Sequence, residues 1–157
     1  MIRTVFLGLT LACLALAGAC GKGIFPQSKA LDAHTSVILE DAWIYRFGLS
    51  NQLLRTRFIF EGRNPNGTYE LKASLRADER GEDIRSAYVS YVPVPPDPAL
   101  PTNQIAMIWE FKDFPASTPN IYLREDFVDK SSGRVAKSLD FVLPGTRHLR
   151  LRDANAK

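Results

Sequence analysis

Residues 54–61 read Leu54-Arg55-Thr56-Arg57-Phe58-Ile59-Phe60-Glu61, and residues 69–76 read Tyr69-Glu70-Leu71-Lys72-Ala73-Ser74-Leu75-Arg76. Leu54, Thr56, Phe58 and Phe60 alternate with Arg55, Arg57 and Glu61. Tyr69, Leu71, Ala73 and Leu75 alternate with Glu70, Lys72, Ser74 and Arg76. Successive side chains of a strand point to opposite faces, so this period of two marks half-buried antiparallel strands with one wet face. Between the two runs lies Arg63-Asn64-Pro65-Asn66-Gly67, whose Asn-Gly pair predicts a tight hairpin with positive φ.

The same period extends along the chain. Val37, Leu39, Asp41, Trp43, Tyr45 and Phe47 fall on one predicted face. Asp41 interrupts it, either as an inward charge needing a partner or because the strand bulges there. Ile84 to Val92 reads as a strand after the charged turn at 78–83. Ile105, Met107, Trp109 and Phe111 form the predicted most buried face. Ile121 to Val128 and Val135 to Val142 flank a second hairpin turn at 129–134, and His148 to Arg152 adds a short last strand. The only helical signal is a single turn around Ser50 to Leu54. The fold expected is all-β: an antiparallel β-sandwich, Ig-like or transthyretin-like, of seven to eight strands. Residues 93–101 hold Pro93, Pro95, Pro96, Pro98 and Pro101. Proline cannot donate to a central ladder, so this is an exposed, stiff segment, expected to carry the chain from one sheet to the other.

The chain has 157 residues, room for one domain, with 20 Lys plus Arg against 17 Asp plus Glu. An excess of three positive charges is too small to announce a nucleic-acid partner. Two Cys and two His exclude a cysteine-rich scaffold and most zinc sites. At the N-terminus Arg3 precedes an uncharged apolar stretch from Val5 to Ala19. As a helix it spans about 22 Å, short of the ~30 Å hydrocarbon core, so it reads as the apolar region of an export signal.

That stretch closes with Leu16-Ala17-Gly18-Ala19-Cys20. Small residues before a cysteine resemble the lipobox of bacterial lipoproteins, with Leu16 one place earlier than such boxes carry it. The rival is an ordinary secretory signal cut after Ala19. Once residues 1–19 are removed, Cys20 is the only cysteine left. A lone thiol in an oxidising compartment is a liability that acylation consumes. The resemblance implies lipidation at Cys20 and an anchor in the cell envelope. Gly21 rather than Asp after the cysteine implies sorting to the outer membrane, facing the periplasm. Residues 20–33 then form a lipidated tether, 34–152 the sandwich, and 153–157 a tail. Ile24 and Phe25 are apolar enough to dock on the domain or the lipid surface.

The residues offer little catalytic chemistry. His34 and His148 stand far apart in sequence, and neither lies near a Gly-x-Ser-x-Gly elbow, which is absent. Both read as surface histidines. Asp41 and Glu110 are the only acids in apolar strands that a paired-carboxylate mechanism would draw on. Asp126, Asp129 and Ser131 crowd the second hairpin, where turn chemistry explains them better than a calcium loop. No metal or cofactor is expected.

Two features stand out. The proline segment is a rigid surface a protein partner could read at low ordering cost. Arg147, Arg150 and Arg152 form a basic row for contact with an anionic surface, unless they only protect a sheet edge. The sequence therefore predicts a non-catalytic, lipid-anchored binding or assembly module of an envelope complex. The alternative is a lipid- or glycan-binding lipoprotein with a sandwich cavity lined by Trp43, Tyr45 and Trp109.

Overall fold

The computed structural model describes residues 24–48, 51–81, 89–93 and 101–153. Nine strands are described: β1 (Gln27–Ala30), β2 (Thr35–Phe47), β3 (Asn51–Gly62), β4 (Tyr69–Arg76), β5 (Val89–Pro93), β6 (Gln104–Phe111), β7 (Asn120–Asp129), β8 (Val135–Pro144) and β9 (Arg150–Asp153). They form two sheets. The larger has the order β1-β2-β3-β6-β5, with β9 also on β2, and the smaller has the order β4-β7-β8. Every pairing is antiparallel except β2 with β9. The protein is thus an all-β sandwich.

Alternation positions the core. Leu54, Phe58 and Phe60 of β3 and Met107, Trp109 and Phe111 of β6 meet Ile121, Leu123 and Phe127 of β7 and Leu139, Phe141 and Leu143 of β8 in one buried cluster. Aromatic edges lock the sheets together, with Phe58 edge-on to Phe141 at 5.2 Å between ring centroids.

Strand β2 departs from strict alternation. Its register with β3 shifts between Leu39 and Asp41, so that Glu40 has no partner across the ladder. Val37 and Leu39 face the core before this bulge, and Ala42 and Ile44 after it. Asp41, Trp43 and Tyr45 therefore do not share a face with Val37 and Leu39. One extra residue inverts every later side chain.

Several expected connections take other routes. The segment Asn64-Pro65-Asn66-Gly67 is not a hairpin: β3 and β4 lie in different sheets, and a 3-10 turn at Pro65–Gly67 joins them. Positive φ falls instead on Gly62, at 104°. A Cβ there would sit 1.9 Å from the carbonyl oxygen of His34, so only glycine lets the chain leave β3. The proline segment does not cross between sheets, because β5 and β6 are antiparallel neighbours within one sheet. The predicted helical turn at 50–54 gives way to strand from Asn51 on. The 129–134 turn does form a hairpin, with Gly133 at φ 67°.

The sandwich also begins and ends outside the expected 34–152. Gln27 to Ala30, within the predicted tether, pair with β2, and Asp153, assigned to the tail, closes β9. The ninth strand is this β1. Side chains fix it to the other sheet. The Gln27 amide donates to the Val142 carbonyl at 2.5 Å and accepts from the Val142 N–H at 3.2 Å. Lys137 Nζ donates to the carbonyls of Ala30 and Leu31, each at 2.8 Å. Side chains thus satisfy edge backbone groups that would otherwise invite foreign strands.

Candidate functional site

The bulge builds a cleft on one edge of the larger sheet. β1 pairs with Ser36 to Leu39, and β9 with Trp43 to Arg46, along the same edge of β2. Glu40, Asp41 and Ala42 lie in the gap between them. Both short strands start at this gap, since Gln27 stands opposite Leu39 and Arg150 opposite Trp43. The chain leading into β1 and the chain leading into β9 therefore converge on the bulge. They enclose a cleft of about 610 Å³. Ile24, Phe25, Pro144 and Leu149 give it apolar walls; Glu40, Asp41, Arg57, His148 and Arg150 give it charge and hydrogen-bonding groups.

The charges are arranged unequally. Arg57 Nε lies 3.1 Å from Glu40 Oε2. Asp41 Oδ2 instead accepts from two guanidinium groups, Arg150 at 2.6 Å and Arg152 at 2.9 Å. Its other oxygen accepts from the Ala42 N–H at 2.9 Å, satisfying a backbone donor at the bulge. The Asp41 side chain is 18% exposed, whereas that of Arg150 is 67% exposed. This triplet carries a net positive charge of one, held by the most exposed member.

Of the predicted basic row, Arg150 and Arg152 thus stand on β9 with a shared carboxylate, and Arg147 stands exposed in the 3-10 turn before it. Beyond the cleft the outer face of the large sheet carries aromatic rings under guanidinium groups. Arg152 covers Trp43 at 4.4 Å and Arg55 covers Tyr45 at 3.6 Å. With Leu151 and Asp153 these residues line a second hollow of about 400 Å³. The expected cavity shared by Trp43, Tyr45 and Trp109 does not form, because the bulge puts Trp43 and Tyr45 outside while Trp109 stays between the sheets.

Asp41 and Glu110 share that outer face, and each is engaged by arginine: Arg55 Nε donates to Glu110 Oε1 at 2.6 Å. Asp129 Oδ1 accepts from the Ser131 and Ser132 N–H groups at 2.9 and 2.8 Å, the ordinary chemistry of a turn. The Ser131 hydroxyl, which donates to the same oxygen at 2.5 Å, and then these N–H groups favour the ionised form and hold its carboxyl below the usual range. Among the described residues no three His, Cys, Asp or Glu side chains converge as a metal site would need. Cys20, Pro95, Pro96 and Pro98 lie outside the described residues. Pro93 ends β5 opposite Met107, and Pro101 is exposed just before β6.

Glu125 is the polar residue that sequence reading passed over. It lies on β7 in step with Ile121, Leu123 and Phe127, and it is fully buried. Trp109 Nε1 donates to its Oε1 at 3.4 Å, while Oε2 and the buried Thr56 hydroxyl have no hydrogen-bond partner among the described residues. Burial above all pushes the Glu125 carboxyl up to about 8. The Trp109 donor opposes that shift, and the nearby Asp126 charge adds to it. The side chain is consequently protonated at neutral pH. The signal was present in the sequence, since alternation alone places position 125 inward.

No protein-family model matches the chain, and no curated protein or solved structure resembles it at a significant level.

Proposed function

We propose that the protein is a lipid-anchored component of the bacterial cell envelope, acylated at Cys20 and facing the periplasm from the outer membrane. Its sandwich acts as a non-catalytic binding and assembly module. The supporting observation is how close to Cys20 in sequence the chain is already packed on the sandwich. Phe25 packs against the core cluster and β1 begins at Gln27. Only Gly21, Lys22 and Gly23 separate Cys20 from Ile24, a reach of at most ~14 Å. An anchor at Cys20 therefore holds the β1–β9 flank of the larger sheet, with its cleft, against the membrane.

On this reading, strand order suggests how the rest is presented. β5 is the far edge of that sheet, so it points away from the membrane, and the proline segment follows it in the chain. That edge is the surface offered to another envelope protein, while Arg147, Arg150 and Arg152 stay on the lipid side. Metabolic labelling with a palmitate analogue tests the anchor: the wild-type chain takes up label and Cys20→Ser does not. Label retained in the Ser variant overturns the lipoprotein reading. A pull-down from solubilised envelopes tests the assembly role. Stable protein neighbours support it, and co-purifying lipid alone favours a carrier.

A further inference from the structure

The cleft on the β2 bulge holds a feature that anchoring alone does not require. Asp41 has one cation more than it needs. If Arg150 turns away, Arg152 still pairs with the carboxylate at 2.9 Å, so no bare acid is left behind. Arg150 is also the more exposed of the two, at 67% against 46%. Releasing it costs little, because an ion pair this exposed contributes weakly. The fork it presents matches the oxygens of a phosphodiester. His148 lies beside it in the cleft, and Phe25 and Leu149 supply an apolar wall next to these donors. A cleft of about 610 Å³ is of the size that takes small ligands.

Resting on the anchored reading above, we propose that this cleft binds the headgroup of a phospholipid in the membrane that carries Cys20. Arg150 and His148 take the phosphodiester, and Phe25 and Leu149 cover the glycerol and the first acyl methylenes. The chain length fixes the choice of occupant. With only three residues between Cys20 and Ile24, the Ile24 wall of the cleft lies within ~14 Å of the anchor, which brings the cleft to headgroup depth. The net charge of the Asp41–Arg150–Arg152 triplet complements the single charge of a phosphodiester. The site therefore needs no net negative membrane, which separates it from general attraction between a basic patch and an anionic surface.

The test uses the mature chain from residue 20 with Cys20→Ser, so that no covalent anchor contributes. Co-sedimentation is measured with vesicles of phosphatidylcholine and phosphatidylethanolamine, which carry no net charge, at low and high salt. The parent chain is expected to bind at both. Arg150→Ala is expected to weaken binding at least threefold, and Arg134→Ala, in the β7–β8 turn, to leave it unchanged. A smaller loss for Arg150→Ala, an equal loss for Arg134→Ala, or binding only to phosphatidylglycerol vesicles and only at low salt overturns the site. Displacement by an equal concentration of inorganic phosphate also overturns it, in favour of a free-phosphate site.

A second readout does not depend on how the variant folds. Glycerophosphoethanolamine added to the parent chain should shift the NMR signals of the His148 ring and not those of His34. Movement of both rings, or of neither, counts against the cleft. The two proposals fail separately. Label at Cys20 with no vesicle binding leaves the anchor and removes the headgroup site. Vesicle binding without label leaves the cleft and removes the anchor.

Discussion

Asp41 and Glu125 are acidic residues that each interrupt a row of apolar side chains at period two, and the fold answers them in opposite ways. Asp41 lies just past the bulge in β2, on the outer face, where two guanidinium groups reach one of its oxygens. Glu125 lies in an unbroken run on β7, so strict alternation carries it between the sheets, where among the described residues the Trp109 indole N–H at 3.4 Å is its donor. The first shares two guanidinium groups on the outer face and so has one cation to spare. The second is neutral at pH 7, because its carboxyl is raised to about 8. One inserted residue separates these outcomes: a bulge turns an inward acid into an outward one, and its absence leaves the acid to be tolerated by protonation.

The largest expected effect breaks the inner half of this comparison. Trp109 is buried in the core and is the Glu125 donor. Trp109→Ala should cost on the order of 3–5 kcal/mol from the cavity and lost contacts, read as the fall in the urea midpoint at pH 6. A loss under about 1 kcal/mol would mean that the sheets are not held together at this point.

The next effect concerns pH and follows from the direction of the Glu125 shift. In the unfolded chain this carboxyl ionises near its ordinary value of 4.5, whereas in the fold it holds its proton to about 8. The folded state therefore binds the extra proton throughout that interval. Stability is fully present below the lower value and falls as pH rises towards the upper one, by about 1.4 kcal/mol per pH unit. Glu125→Gln keeps the shape and an acceptor for Trp109 but cannot ionise. Between pH 5 and 7 the wild type should lose about 2–3 kcal/mol more than the Gln variant. Parallel urea midpoints for the two chains over that range would show that Glu125 is not kept neutral by the fold.

The legibility of the sequence follows the same divide. Where alternation is unbroken, as in Leu54-Thr56-Phe58-Phe60 or Ile105-Met107-Trp109-Phe111, period two placed the side chains correctly between the sheets, with Ile105 only half-buried. Asp41 left two readings open, an inward charge with a partner or a bulge, and the register shift between Leu39 and Asp41 decides for the bulge. What that bulge would build was not legible. The cleft depends on β1 and β9 sharing one edge of β2, and residues more than a hundred positions apart meet there. Nothing local in Gln27-Ser28-Lys29-Ala30 marks it as a strand: its ladder with β2 and the side-chain bonds to β8 make it one. Asn66-Gly67 misled for a related reason. Its hairpin preference is weak beside the need of β3 and β4 to bury their apolar faces in opposite sheets.

A smaller effect sharpens the outer half. Asp41→Asn keeps an oxygen for the Ala42 N–H but removes the charge that holds Arg150 and Arg152 side by side. Exposed ion pairs are weak, and Asp41 is the only well-covered member of this one, so the cost should be about 1 kcal/mol. The measurement that matters is the position of β9, whose four residues are all exposed. Amide exchange at Arg150 to Asp153 should quicken in the Asn variant while exchange in β6 stays slow. Unchanged protection of β9 would mean that its backbone ladder alone holds it.

The smallest effect is expected at Lys72, the reference for all the others. It lies on β4 opposite Asp126, on the outward face of the small sheet, with its side chain 58% exposed. Its ammonium is 3.7 Å from the Glu70 carboxylate, two residues along the same strand. Such a pair gains little in water, since ordering two long side chains offsets most of the attraction. No core contact is lost on truncation, and alanine is only slightly disfavoured in a strand. Lys72→Ala should therefore stay within about 0.5 kcal/mol of wild type, at pH 6 and pH 8 alike. Equal midpoint shifts for Lys72→Ala and Trp109→Ala would mean that the two faces of these strands have been assigned the wrong way round. A shift at Lys72 that grows with pH would place it, rather than Glu125, at the source of the alkaline instability.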